Sequence, residues 1–365
     1  MISLNDREWG TFVIGSLFDV TRPISRTKDS YEAGDVPFIA SGAVSNGVSK
    51  YCKPHADEAL DKAGCITVSP VDGSCFYQPV SFLGRGGGGS SIMKLRSPSL
   101  TEYSGRFVAR MIMQTLSAKY TYGRMGNSKM VVRERIMLPV DSAGEPDWTF
   151  MEDYIRERET IQLQRLQSFL NKQITEIERE RVVVVVSAKH IDISEVKWDG
   201  FIIDDVFRIL PGRRLKSHDR SAGLRPFIGA LDNGNGIAGY VKDSNDSLDR
   251  NVLGVNYNGN GVCLGFYHPY ECVFSDDVKR FHLRNHEDNK YVLLFLKVVI
   301  QQQKGKFGYL YKFNAKRMTQ QRIVLPVSSS GEPDYGLMEN YMRGVMLNYY
   351  RRLLKVITDK TNTLS

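Results

Sequence analysis

Two stretches of this 365-residue chain carry cations without a single acid. Tyr103 through Arg133 holds Arg106, Arg110, Lys119, Arg124, Lys129 and Arg133, and Gln301 through Gly331 holds Lys304, Lys306, Lys312, Lys316, Arg317 and Arg322. Such windows project a positive potential that suits phosphate. A solvated basic face would explain either one alone, and their matching positions weigh against that. Lys119, Arg124, Lys129, Lys306, Lys312 and Lys316 are therefore the phosphate candidates. Asn46, Asn233, Asn235, Arg213 and Arg214 are candidates for base edges, because Asn pairs with adenine and Arg with guanine. A turn-forming role accounts for the Asn residues equally well. Tyr122 and Tyr309 suit stacking or backbone hydrogen bonding, although a half-buried core tyrosine is the ordinary reading.

Catalytic patterns are missing by contrast. Gly84-Arg85-Gly86-Gly87-Gly88-Gly89 matches GxGxxG, but a dinucleotide site also needs a preceding strand, a following helix and an acid about 20 residues on. Ser90 to Leu95 reads as a strand instead, and the second half of the chain has no counterpart. What remains is a loop able to approach a DNA backbone closely, or a plain turn. No P-loop occurs. Pro146-Asp147 and Pro333-Asp334 invite a nuclease reading, yet the only nearby acid-x-Lys is Glu195-x-Lys197, which the second half lacks. Helix capping suffices for both pairs. There is no adenine-methyltransferase tetrapeptide and no Ser/His/Asp set. The six histidines lack zinc spacing, His282 and His286 included. The five cysteines form no CxxC pair and read as reduced, buried thiols. The sequence implies no catalysis, no cofactor and no metal in this chain.

The elements that must position these residues follow from the wider pattern. With 42% hydrophobic and 25% charged residues the chain is globular, and its length suggests roughly two domains. Asp6, Arg7, Glu8, Asp19 and Arg22 interrupt any signal-peptide core. The run Val182–Val186 is far short of the roughly 20 residues a membrane helix needs. A soluble, cytoplasmic protein is expected.

Self-similarity organises the rest. Trp9, Phe12, Ile14 and Phe18 recur 189 residues on as Trp198, Phe201, Ile203 and Phe207. Pro37-Phe38-Ile39 returns as Pro226-Phe227-Ile228, Asn46-Gly47 as Asn235-Gly236, and Phe76-Tyr77-Gln78-Pro79 as Phe266-Tyr267-His268-Pro269. Further on, Lys119, Tyr122, Asn127 and Lys129 match Lys306, Tyr309, Asn314 and Lys316. Gly144-Glu145-Pro146-Asp147 then matches Gly331-Glu332-Pro333-Asp334. The chain is two copies of one module.

Each copy opens with short β-branched and aromatic runs cut by Gly, Asn and Asp turns, which read as strands. Helical stretches follow at Phe107–Leu116 and Tyr291–Gln301, then the basic loop, an Ile-x-Leu-Pro-Val strand and a turn. Long helices come next, from about Trp148 to Arg181 and about Tyr335 to Thr358, with each proline suited to the first turn. Leu163, Leu166, Leu170, Ile174 and Ile177 make an apolar stripe on one helix. Met338, Tyr341, Val345, Tyr349, Leu353 and Val356 make one on the other. The expected class is α+β, with two tandem repeats, each a mixed α/β head followed by a long helix. The helices should pack as an antiparallel, coiled-coil-like pair. Residues 1–147 and 187–334 are the expected heads, and 148–186 and 335–361 the helices.

Each copy thus runs from Trp-x2-Phe through Pro-Phe-Ile, Phe-Tyr-x-Pro and Lys-aromatic-x-Tyr to Leu-Pro-Val-x3-Gly-Glu-Pro-Asp-aromatic and a long helix. This order resembles the DNA-specificity subunit of type I restriction-modification systems, and is similar to the recognition subunits of type IIB systems. The likeness covers essentially the whole chain. It implies two target-recognition domains, each reading one half of a bipartite site in double-stranded DNA, with the helices as spacer. It also implies DNA adenine methyltransferase subunits and a restriction subunit as partners. S-adenosylmethionine, magnesium and ATP would belong to those partners. A stand-alone DNA-binding regulator is the alternative.

Overall fold

The computed structural model describes residues 1–183, 192–258, 261–308 and 311–364. The first copy opens with β1 (Trp9–Val13), a short helix α1 (Ile14–Leu17), β2 (Asp19–Thr21), β3 (Ala33–Ile39) and β4 (Val48–Cys52). Strands β5 (Cys65–Val68), β6 (Cys75–Gln78), β7 (Leu83–Gly84) and β8 (Met93–Arg96) follow. Then come α2 (Glu102–Ser117), a one-turn helix α3 (Ser128–Val131), β9 (Arg135–Pro139) and the long α4 (Trp148–Val183). The strands pair as β2-β8-β5-β6, β4-β3-β7 and β1-β9.

The second copy repeats this. It contains β10 (Trp198–Ile202), α5 (Ile203–Val206), β11 (Phe207–Pro211), β12 (Ala222–Ile228) and β13 (Ile237–Val241). Next are β14 (Val252–Asn256), β15 (Gly265–His268), β16 (Val273–Phe274) and β17 (Val278–Leu283). Helices α6 (Lys290–Gln301) and α7 (Ala315–Gln320), β18 (Arg322–Pro326) and α8 (Tyr335–Leu364) complete it. Its sheets, β11-β17-β14-β15, β13-β12-β16 and β10-β18, reproduce the first copy strand for strand. Registers agree as well: Trp9 faces Pro139 as Trp198 faces Pro326, and the irregularity after Ala33 returns after Ala222.

Local chemistry explains the repeated turns. Asn46 and Asn235 adopt φ of 56° and 54°, a left-handed conformation that Asn tolerates, and each is followed by a positive-φ glycine. Gly144 and Gly331 need φ of 80° and 83° to turn the chain before each long helix. Asp147 and Asp334 are the caps: each carboxylate accepts from a backbone N–H three residues on, Phe150 at 2.9 Å and Leu337 at 2.8 Å. Pro146 and Pro333 lie just ahead of the caps and pair with Val140 and Val327, two residues before the first helical positions, Trp148 and Tyr335, rather than in the first turn as expected. Capping by Thr101 and Asn289 starts α2 and α6, whose apolar faces fill the cores. Phe107, Val108, Ile112 and Leu116 do so in one copy, and Val292, Leu296 and Ile300 in the other.

The described chain divides into two compact units, Met1–Ser168 with Ile357–Ser365, and Phe169–Val356. In the first unit Glu159 pairs with Lys360, and the Gln167 amide donates to Thr358 and Thr361 at 3.3 Å each. In the second, Glu178 pairs with Arg351 and Glu180 with Arg343, beside a cluster of Ile177, Leu347 and Tyr291. Within each unit, rising numbers on α4 meet falling numbers on α8, so the helices run antiparallel. The apolar stripe expected on α8 is displaced, however. Val345, Tyr349 and Val356 are exposed, and the buried positions are Met338, Arg343, Leu347 and Ile357. Helix α8 also continues to Leu364, beyond the end expected near Thr358. No helix among the described residues is long and apolar enough to cross a membrane.

Both heads hold a buried charge pair at the same place. Asp61 accepts from Lys94 at 2.5 Å, and Asp249 accepts from Arg280 at 2.9 Å. The third partner differs, being Arg26 in the first copy (2.7 Å from Asp61) and His282 in the second. Hydrogen bonds from the His282 ring to Asp249 (2.9 Å) and Asp288 (2.7 Å) raise its pKa from the usual 6.5 to about 9, against the opposing effect of burial. A raised folded-state pKa stabilises fully below the unfolded value and ceases to do so as pH rises through the folded one. The second copy should therefore lose on the order of 2 kcal/mol between about pH 6.5 and pH 9.5, near 5 °C in unfolding midpoint. His282→Gln should flatten that slope. Equal pH dependence in both proteins would remove His282 as its source.

Candidate nucleic-acid interface

In the first copy, four loops meet at one end of the four-stranded sheet. The Gly126 amide donates to the Pro70 carbonyl at 2.8 Å, tying the basic loop to the β5–β6 turn. Ser74 Oγ donates to Gly42 at 3.0 Å, which brings in the loop after β3. Gly89 lies against Met125, so the glycine-rich stretch joins the same rim. Tyr122 stands at the tip of a tight turn closed between Thr121 and Arg124, and is 83% exposed rather than half-buried. The buried tyrosine of this loop is Tyr120. Arg124 and Lys129 are exposed, and no ion pair among the described residues involves them. Lys119 instead pairs with Glu134, just past the acid-free window, and Arg106 pairs with Glu102 and Glu159. Asn127 is the cap of α3, accepting from the Met130 amide at 3.1 Å, which sets Lys129 on the outer face of that turn.

The glycine-rich stretch is only partly a free loop. Gly84 sits in β7, and a Cβ at Gly86 would meet the Ile24 carbonyl oxygen at 1.8 Å. Gly86 thus admits the chain's own backbone, and Gly84 the side chains of Pro23 and Asp61. Gly87, Gly88 and Gly89 are exposed.

The second copy builds the same rim with different side chains. Asn314 caps α7, accepting from the Arg317 amide at 3.1 Å, and Lys316 is exposed on it as Lys129 is on α3. Lys306 is exposed and donates to Gln303 at 2.7 Å. Lys312 is half-buried, and its carbonyl accepts from Arg317 at 2.8 Å. The Arg317 guanidinium lies 3.7 Å over the ring of Tyr311, which in turn stacks on Phe307. Tyr311 is an exposed aromatic that the sequence pattern did not single out. Tyr309 lies outside the described residues.

The base-edge candidates separate by role. Asn46 turns inward, its amide donating to Tyr77 (3.1 Å) and Gln78 (3.2 Å), so it fastens the turn to β6. Asn235 donates instead to the Tyr270 hydroxyl, just past β15, at 2.8 Å. His268, which replaces Gln78 there, is pushed down to about 4 by burial and stays neutral. Asn233 is exposed, and so are Arg213 and Arg214 on the β11–β12 loop. All five cysteines are buried free thiols, with burial lifting Cys65 to about 11 and Cys263 and Cys272 to about 12.

Duplicated heads with basic, aromatic loops can be set against known families. The model of the type I restriction modification DNA specificity domain matches this chain twice, over residues 6–168 and 195–352. The chain belongs to this family. It is a specificity subunit of a restriction-modification system with two target-recognition domains, and its family role is recognition rather than catalysis. The specificity subunit is 37% identical over 338 residues to the type II restriction enzyme BgcI specificity subunit S.BcgI of Heyndrickxia coagulans. That match covers 92% of this chain and 94% of the relative. Its fold is shared with the type I restriction-modification S subunit from M. genitalium, at a TM-score of 0.55 and 16% identity, over 100% of this chain and 96% of that one.

Proposed function

We propose that this specificity subunit reads a bipartite site in double-stranded DNA, one half-site per copy, and positions DNA adenine methyltransferase subunits and a restriction subunit on it. Helices α4 and α8 serve as the spacer between half-sites. The observation that carries this reading is the strand-for-strand duplication, with an exposed cation-bearing loop at the same place in each head. S-adenosylmethionine, magnesium and ATP belong to the partner subunits in this account. The 37%-identical relative is a subunit of a type II enzyme, so a partner set of that kind is the first to test.

Lys129 and Lys316 are assigned to phosphates, because they are exposed at equivalent positions. Affinity should fall with salt at about −0.9 in log–log slope per phosphate neutralised. Lys129→Ala or Lys316→Ala should reduce the slope by about one and weaken binding to all sequences alike. Lys119→Ala should change it less, since Glu134 already pairs with that amine. Titration of duplex binding between low and physiological salt reads both. A slope unchanged by Lys129→Ala, or an altered base preference, removes the phosphate role.

A further inference from the structure

The second head contains a groove of ≈ 710 Å³ that no family role assigns to particular residues. One wall is the β11–β12 loop with Arg214, Lys216 and His218, and the other is Tyr257, Asn258 and the turn Ser275-Asp276-Asp277.

Two of the charged groups that line it, Arg220 and Asp277, are held by neighbouring residues. Arg220 donates twice to the Leu215 carbonyl (3.1 and 3.0 Å) and lies 4.2 Å over Phe227. Asp277 accepts from the Asn258 amide at 3.2 Å. Arg214 and Asp276 differ: their side chains are 73% and 41% exposed and stand 3.9 Å apart. That is beyond hydrogen-bond length, and an exposed pair of this kind contributes little to stability. The fold does not require the pair either. The first head has Ser25 where this one has Arg214, and the Gly-rich loop from Arg85 where this one has Asp276, yet its topology is identical.

We propose that Arg214 and Asp276 together read one G·C base pair in the half-site of the second copy, an inference that rests on that copy being a DNA-reading domain. In the major groove guanine offers two acceptors, O6 and N7, and the cytosine beside it offers the N4 donor. A guanidinium next to a carboxylate presents donors and an acceptor in the complementary order. An A·T pair fits less well, because adenine gives the arginine fork one acceptor where guanine gives two.

The test is methylation-site mapping with the full chain and its methyltransferase partner, for wild type, Arg214→Ala, Arg214→Lys and Asp276→Asn. Thermal unfolding of each variant at the wild-type midpoint establishes that it is folded. Arg214→Ala and Asp276→Asn should relax the same single G·C position by about tenfold or more, with the other half-site untouched. Arg214→Lys should retain part of the preference. Relaxation at different positions, no relaxation, or a uniform loss of affinity with a smaller salt slope would each overturn the assignment. A wild-type complex without a two-part site would instead overturn the underlying reading, and this pair with it.

Discussion

Inserting four residues beside Gln167 should lengthen the gap between the two half-sites by about two base pairs. Four helical residues add about 6 Å, at 1.5 Å each, and stacked base pairs lie about 3.4 Å apart. The insertion turns the helix by about 400°, leaving its contact face within roughly 40° of register. Two residues would turn it by about 200° and carry Leu170 and Ile177 away from the positions where they are buried. The four-residue insertion should therefore give an active complex with unchanged half-sites and a longer gap, while the two-residue insertion destabilises the chain. An unchanged gap in a folded, active complex would mean that the helices are not the spacer.

Asp61→Ala should be the most damaging single substitution in the first copy. Asp61 accepts from Arg26 (2.7 Å), Lys94 (2.5 Å) and the Gly84 amide (3.0 Å), and its side chain is almost wholly buried. Glu58 is also on Arg26, at 2.6 Å, but it does not reach Lys94. Removing Asp61 leaves an uncompensated buried cation, which costs about 3–5 kcal/mol. That is a large share of the roughly 5–15 kcal/mol by which domains are stable. The first unit should unfold about 10 °C lower, with the second little changed. A loss under about 1 kcal/mol in denaturant titration would show the network to be tolerant of the vacancy.

The duplication was fully legible because residues that recur in order must occupy the same places in the same fold. Trp9 with Phe12 and Trp198 with Phe201 do so in β1 and β10. The buried face of α8 departs from the expected stripe for a geometric reason. Tyr341, Val345 and Tyr349 advance by four, and each such step drifts about 40° around the helix. By Tyr349 the row has turned to solvent, while Arg343, Leu347 and Tyr350 alternate steps of four and three and hold one face. Acid-free windows also overstated the free charge, since Glu134 and Glu159 reach Lys119 and Arg106 from outside the window. The Arg26–Asp61 pair spans 35 positions and depends on sheet pairing that has no local signature. Asp276 left one usable sign, that an acidic turn replaces the glycine-rich loop of the first copy.

The central claim, that two duplicated heads read two half-sites, is tested most directly by exchanging one head. Residues 1–147 would be replaced by the matching segment of another specificity subunit, and methylated positions mapped in DNA from cells making the chimera with the methyltransferase partner. The account predicts a two-part site in which one half changes, the other half stays, and the gap is retained. A change in both halves, or a single unbroken site for the parent chain, would contradict it.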